Sequence, residues 1–117
     1  MPLPWRLPVR PLAVRLLTCS WQEIGQEWSF NLRSPHWRLY RNDGPGAGIA
    51  GEGWRVDLPA GRLCLLPDWV DCRCWCRGRV GHLYLHFDPR GLDGAWRGTA
   101  LRRAILLPPS PGLEAQA

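Results

Sequence analysis

Lysine is absent from this chain of 117 residues, and all fifteen basic side chains are arginines. The glycine-rich segment 44–53 therefore has no Lys-Ser/Thr ending of the kind that a phosphate-binding P-loop requires. The formal net charge is +5, but the arginines are scattered and only Arg102 and Arg103 are adjacent. A scattered excess is typical of a solvated surface. The charge therefore does not by itself predict direct binding to nucleic acid.

Long hydrophobic runs are also missing. Near the N terminus, Arg15 separates the apolar residues 12–14 from the apolar residues 16–17. A secretory leader needs about seven or more unbroken apolar residues, and a membrane span needs about 20. We therefore expect a cytoplasmic protein without a membrane segment, in which the five cysteines stay reduced.

Arrangements of side chains that would support catalysis are few. Ser20, Ser29 and Ser34 lack the sharp glycine-flanked turn that exposes a nucleophilic serine. Asp68 and Asp71 flank a turn, and no pair of carboxylates is bracketed by other candidate site residues. The sequence predicts a protein that is not an enzyme and that has no cofactor.

The residues that are abundant favour a small all-β domain. Hydrophobic residues make up 45% of the chain and charged residues 21%, which fits one globular domain with a core. Thirteen glycines, twelve prolines and eight tryptophans favour short strands joined by turns. We predict an N-terminal section 1–26, with an irregular arm over 1–20 and the first strand region, then a barrel over 27–109 and a disordered tail over 110–117.

Strands are predicted where apolar and polar residues alternate. Trp54, Val56 and Leu58, for example, alternate with charged residues, which is the period of a half-buried strand. The glycine-rich segment 42–53 is expected to be a flexible loop, and 92–99 a short helix or loop. The predicted strands are 27–32, 36–41, 54–58, 63–66, 70–77, 80–87 and 104–107.

Three cysteines alternate along one predicted strand. Cys72, Cys74 and Cys76 share one face, and together they span some 13 Å at ~3.3 Å per residue, which is too wide for one zinc ion. We interpret them as small apolar side chains that fill the interior of a barrel. The alternative is a metal bound by Cys72, Cys74 and His82.

Three segments together resemble a known family. LPAGRLCLLP (58–67) looks like the strand-turn signature of cupin-type sensor domains, and HLYLHFD (82–88) and PHWRLYRND (35–43) accompany it. In this order and spacing, the segments resemble the N-terminal arabinose-binding and dimerisation domain of AraC-family transcription regulators of bacteria.

The resemblance implies a fold and a function. The fold would be a cupin-like jelly-roll barrel of antiparallel strands, with the N-terminal arm closing over a small effector in its mouth. The effector would be a monosaccharide or another small molecule, held by Arg33, Cys74, His82 and Tyr84, and the domain could form a homodimer. No segment after Phe87 is long enough for a helix-turn-helix half, so DNA binding would need a domain that this chain lacks.

The chain departs from the pattern of metal-binding cupins, G-x(5)-P-x-G-x(2)-H. Gly61 and Pro67 fit this pattern, but Trp69 stands where the pattern has glycine and Cys72 where it has histidine. The histidine-rich first motif has no counterpart in 40–55, which argues against a metal-dependent cupin enzyme. Two other classes stay open: a small cupin that binds metal through Cys and His and could be an enzyme through this nonstandard site, and an interaction domain whose tryptophans supply its contact surface.

Overall fold

The computed structural model describes residues 14–89 and 102–109, and over these residues the chain forms nine β-strands. The strands are β1 (Val14–Ile24), β2 (Phe30–Leu32), β3 (Trp37–Asn42), β4 (Ala47–Gly51), β5 (Trp54–Asp57), β6 (Leu63–Leu66), β7 (Cys72–Cys76), β8 (Val80–Pro89) and β9 (Ile105–Leu106). A search of the same residues finds no helix with the length and hydropathy needed to cross a membrane.

The strands form two antiparallel sheets, with the orders β1-β8-β3-β6-β9 and β2-β7-β4-β5. The first strand pairs with the eighth, the second with the seventh, the third with the sixth and the fourth with the fifth. This is the connectivity of a long hairpin rolled into two sheets, the jelly roll. The prediction of an all-β jelly roll of antiparallel strands is confirmed.

The core lies between the two sheets and is filled by alternate residues of each. Cys64 and Leu66 point inward from β6, and Ile49 and Cys74 point inward from β4 and β7, where they are directly opposite each other. All three cysteines of β7 are at most 7% exposed. The alternating thiols thus lie in the interior.

The glycine-rich segment 42–53 is not the flexible loop that we expected. Its second half is β4, which pairs with both β5 and β7. The indole of Trp75 lies over Gly48, where a Cβ would collide with the ring. Gly46 has a φ of +121°, and a Cβ there would lie 2.5 Å from the carbonyl oxygen of Arg77. The glycines therefore permit close packing within the sheet rather than flexibility.

The prediction of an irregular arm over residues 1–20 is wrong for residues 14–20, which belong to a strand. β1 begins at Val14 and pairs with β8 along its whole length, with a register shift between Leu16 and Thr18. This bulge interrupts the two-residue alternation by which the strand would have been recognised. Residues 1–13 lie outside the described part of the chain.

The remaining boundaries differ less from expectation. The strand predicted at 27–32 begins only at Phe30, and the strand predicted at 104–107 is the two-residue β9. The predictions for 92–99 and 110–117 fall outside the described residues.

Candidate functional site

Polar side chains cover the inner face of the five-stranded sheet where β1, β8 and β3 lie side by side. Because directly opposite residues in antiparallel strands point to the same face, the registers of these strands define three rows. The rows are Gln22-His82-Asn42, Ser20-Tyr84-Tyr40 and Thr18-His86-Arg38. We call these nine residues the polar grid.

The polar grid is closed on one side and open on the other. Asn42, Tyr40 and His82 are buried, with at most 2% of each residue exposed. Tyr84 and His86 are half-buried, and the three grid residues of β1 are exposed. The exposed side of the polar grid is therefore its β1 edge.

His82 and Asn42 form the buried end of the polar grid. Nδ1 of His82 lies 2.7 Å from Oδ1 of Asn42, so with the amide oxygen as acceptor this ring nitrogen donates. The rings of Tyr40 and Trp28 pack on the imidazole, with centroids 4.9 and 5.0 Å away. Burial lowers the pKa of His82 to about 4, so the ring is neutral at pH 7.

Aromatic rings continue along β8 from the buried end to the open end. Ring centroids are 5.6 Å apart between His82 and Tyr84, 5.2 Å between Tyr84 and His86, and 4.6 Å between His86 and His36. Burial, followed by the charge of Arg38, lowers the pKa of His36 and lowers that of His86 to about 4. All three histidines of the chain are therefore neutral at pH 7.

Arg38 supplies the positive charge of the polar grid. Its Nε donates to Oγ of Ser34 and its Nη1 donates to the hydroxyl of Tyr40, both at 3.2 Å. Burial raises the pKa of Tyr40, so its hydroxyl stays protonated, and the charge of Arg38 only partly opposes this shift. The guanidinium is thus held in place by two neutral hydroxyls.

The structure brings two of the four predicted effector-binding residues into contact and places a third on the facing sheet. His82 and Tyr84 are neighbours in the polar grid, and Cys74 is fully buried on the inner face of the facing sheet. Arg33 lies apart from them: it is exposed, and its guanidinium carbon is 5.5 Å from the ring centroid of Trp69. The arginine inside the domain is Arg38, on the next strand.

Arg38 and Asn42 are among the grid residues that the sequence did not predict. Both lie on the strand predicted at 36–41 or directly after it, and they alternate with Trp37, Leu39 and Arg41 on the other face. This alternation was a usable signal for Arg38. Asn42 was not assigned to the strand because the sequence Asn-Asp-Gly is typical of a turn.

The alternative metal ligands do not form a metal site. Among residues 14–89 and 102–109, no group of three or more His, Cys, Asp or Glu side chains is placed to hold a metal ion. Interaction with Cys74 lowers the pKa of Cys72, and interaction with Cys72, followed by burial, raises the pKa of Cys74. His82 instead pairs with Asn42.

A depression lies on the outer face of the four-stranded sheet. It has a volume of about 430 Å³ and is lined by Ala50, Arg55, Arg73, Trp75 and Arg77. The guanidinium of Arg55 lies over the ring of Trp75, and Asp57 pairs with it at 3.0 Å. Two of its lining side chains, Arg55 and Trp75, are thus already in contact with each other.

Comparison with known proteins reveals similarity of fold only. No family model and no curated protein matches the chain. Its fold is similar to the structure of the Clostridium difficile EutQ protein, with a TM-score of 0.53 and 14% sequence identity. The match covers 61% of this chain and 56% of that one. The fold is a cupin-like sandwich of two antiparallel sheets.

Proposed function

We propose that this chain is the ligand-sensing domain of an AraC-type transcription regulator and that its polar grid binds a small-molecule effector. Three segments carry the resemblance: 35–43 contains β3, 58–67 contains β6, and 82–88 is the central part of β8. These strands are consecutive neighbours in the five-stranded sheet. The resemblance is thus concentrated in the sheet that carries the polar grid.

The observation that carries this proposal is the presence of unsatisfied polar atoms at the site. Nδ2 of Asn42 and Nε2 of His36 are buried and have no hydrogen-bond partner within the described part of the chain. Leaving such a group unpaired costs about 1–3 kcal/mol. A bound ligand with acceptors and donors at these positions would remove that cost, so the site gains from occupancy.

The remaining parts of the proposal follow from the regulator class. The domain senses without catalysing a reaction and works in the bacterial cytoplasm without a cofactor. It can pair with a second copy of itself. Contact with DNA belongs to a helix-turn-helix half joined to it in the whole protein.

The proposal is tested by a thermal-shift screen of monosaccharides and other small metabolites, because a ligand that binds only the folded state raises the melting temperature. His82→Ala and Tyr84→Ala are expected to reduce the ligand-induced shift. Tyr84→Phe keeps the ring and separates stacking from hydrogen bonding. The shift, rather than the starting melting temperature, is compared, because truncating a buried residue also destabilises the fold.

Two outcomes would contradict the proposal. If both alanine variants bound the effector as the wild type does, the site would lie elsewhere. Stoichiometric zinc or iron that is lost in Cys72→Ser and Cys74→Ser would instead favour the small metal-binding cupin.

A further inference from the structure

We infer that the ligand of the polar grid carries a carboxylate or a similar planar anionic group, and that Arg38 holds it. This inference rests on the proposed function, because it assumes that the grid binds a small molecule. It replaces the monosaccharide expected from sequence with a small organic acid.

The first argument is the charge of the site. His36, His82 and His86 are neutral at pH 7, so Arg38 is the charged member of the grid. The ion pairs within the described residues join other arginines to surface carboxylates, and none involves Arg38. Farther along the same face, beyond His86, Asp88 lies directly opposite Arg15.

The second argument is the environment of the guanidinium. Arg38 is half-buried, and within the described part of the chain its side chain donates to the neutral hydroxyls of Ser34 and Tyr40. A partly desolvated charge without an opposite charge is unfavourable. A guanidinium has five N–H donors in a fixed fork that matches a carboxylate. As far as residues 14–89 and 102–109 show, the donors that Ser34 and Tyr40 do not use remain available to such a group.

The third argument concerns the rest of the ligand. The rings of Tyr84 and His86, tilted by 41° to each other, lie on the strand next to Arg38, and His86 is directly opposite Arg38. Phe30, which is 38% exposed, is directly opposite Cys74 and so points to the inner face of the other sheet. A ligand with a planar or apolar body fits between such surfaces. The chemistry of the site therefore matches a small monocarboxylate with an aromatic or apolar body.

The inference is tested with pairs of compounds that differ in charge alone. Benzoate and phenylacetate are compared with benzamide and phenylacetamide, and arabinose and glucose serve as neutral polyols. Binding is measured at pH 7 by isothermal calorimetry and by thermal shift. Each carboxylate that binds is expected to bind at least about 10-fold more tightly than its amide, as charge-assisted hydrogen bonds predict.

Two arginine variants provide the matched control. Arg38 and Arg41 lie on the same strand but on opposite faces of the sheet. Arg38→Gln therefore removes the positive charge of the polar grid, whereas Arg41→Gln removes a positive charge on the outer face. Arg38→Gln is expected to weaken carboxylate binding by at least about 10-fold. Arg41→Gln is expected to leave it unchanged.

The outcomes separate this inference from the proposed function. If neutral polyols bind and Arg38→Gln has no effect on them, the grid is a ligand site but the anionic ligand is wrong. If carboxylates and their amides bind equally, the inference is also overturned. If no compound of either kind binds, both the inference and the proposed function are contradicted.

Discussion

Trp69 has a left-handed backbone, with a φ of 60°. A side chain with a Cβ is disfavoured there by roughly 1–2 kcal/mol, and the metal-binding cupin pattern has glycine at this position. The amide of Trp69 donates to the carbonyl of Ser34 at 2.8 Å, and its ring lies beneath Arg33. These contacts hold a conformation that the residue itself disfavours.

Trp69→Gly is therefore expected to stabilise the domain by about 1 kcal/mol in urea denaturation. The matched control is Gly61→Ala, because Gly61 has a φ of +76° and ample space around a Cβ. That variant isolates backbone strain and is expected to cost about 1–2 kcal/mol. A destabilised Trp69→Gly variant would mean that the Arg33–Trp69 contact outweighs the strain.

The lowered pKa of His82 predicts how the free energy of unfolding depends on pH. Its pKa is about 4 in the folded chain and 6.5 when the imidazole is freely solvated, so between these values the unfolded chain binds more protons. The contribution of the neutral His82 ring to the free energy of unfolding is fully present above pH 6.5 and is lost as the pH falls toward 4. The full loss is on the order of 3 kcal/mol at roughly 1.4 kcal/mol per pKa unit.

The test is the free energy of unfolding measured between about pH 7 and pH 4 for the wild type and for His82→Gln. The variant keeps a polar side chain beside Asn42 but cannot titrate, so its stability is expected to fall less with acid. Equal slopes for the two proteins would show that His82 is not held neutral by burial.

At the scale of the strand, β4 depends on the fit between Gly48 and the indole of Trp75. Gly48→Ala places a Cβ against the ring and is expected to destabilise the domain by about 1–3 kcal/mol, as overpacking does. The same substitution in a Trp75→Ala background removes the obstacle and should cost much less. An equal cost in both backgrounds, measured by a double-mutant cycle, would contradict this packing.

Strands with uninterrupted alternation were predictable from sequence, and strands with an interruption were not. β5, β7 and β8 were predicted from their two-residue period, and this period also placed His82 and Tyr84 on one face. Only the end of β1 was expected, as the first strand region before residue 27, because its bulge interrupts the alternation, and β4 was missed because its glycines resemble a loop. Arg38 was missed because alternation assigns a residue to a face without showing which strands become neighbours.

At the scale of the whole molecule, the jelly roll brings together residues that are far apart in sequence. Residues 18–22, 38–42 and 82–86 meet on one inner face because the chain folds as a rolled hairpin. The cupin-like fold was predictable from three short segments. The depth of the site was not predictable from sequence, because the burial of Asn42 and the position of Arg38 depend on the packing of both sheets.

The three histidines of the chain are His36, His82 and His86, and all belong to the polar grid or contact it. The imidazole signals in a nuclear magnetic resonance spectrum therefore report on this site alone. Titration with a compound that raises the melting temperature tests the central claim most directly. We predict saturable shifts of these signals, and a compound that stabilises the domain while leaving all three unchanged would contradict the account.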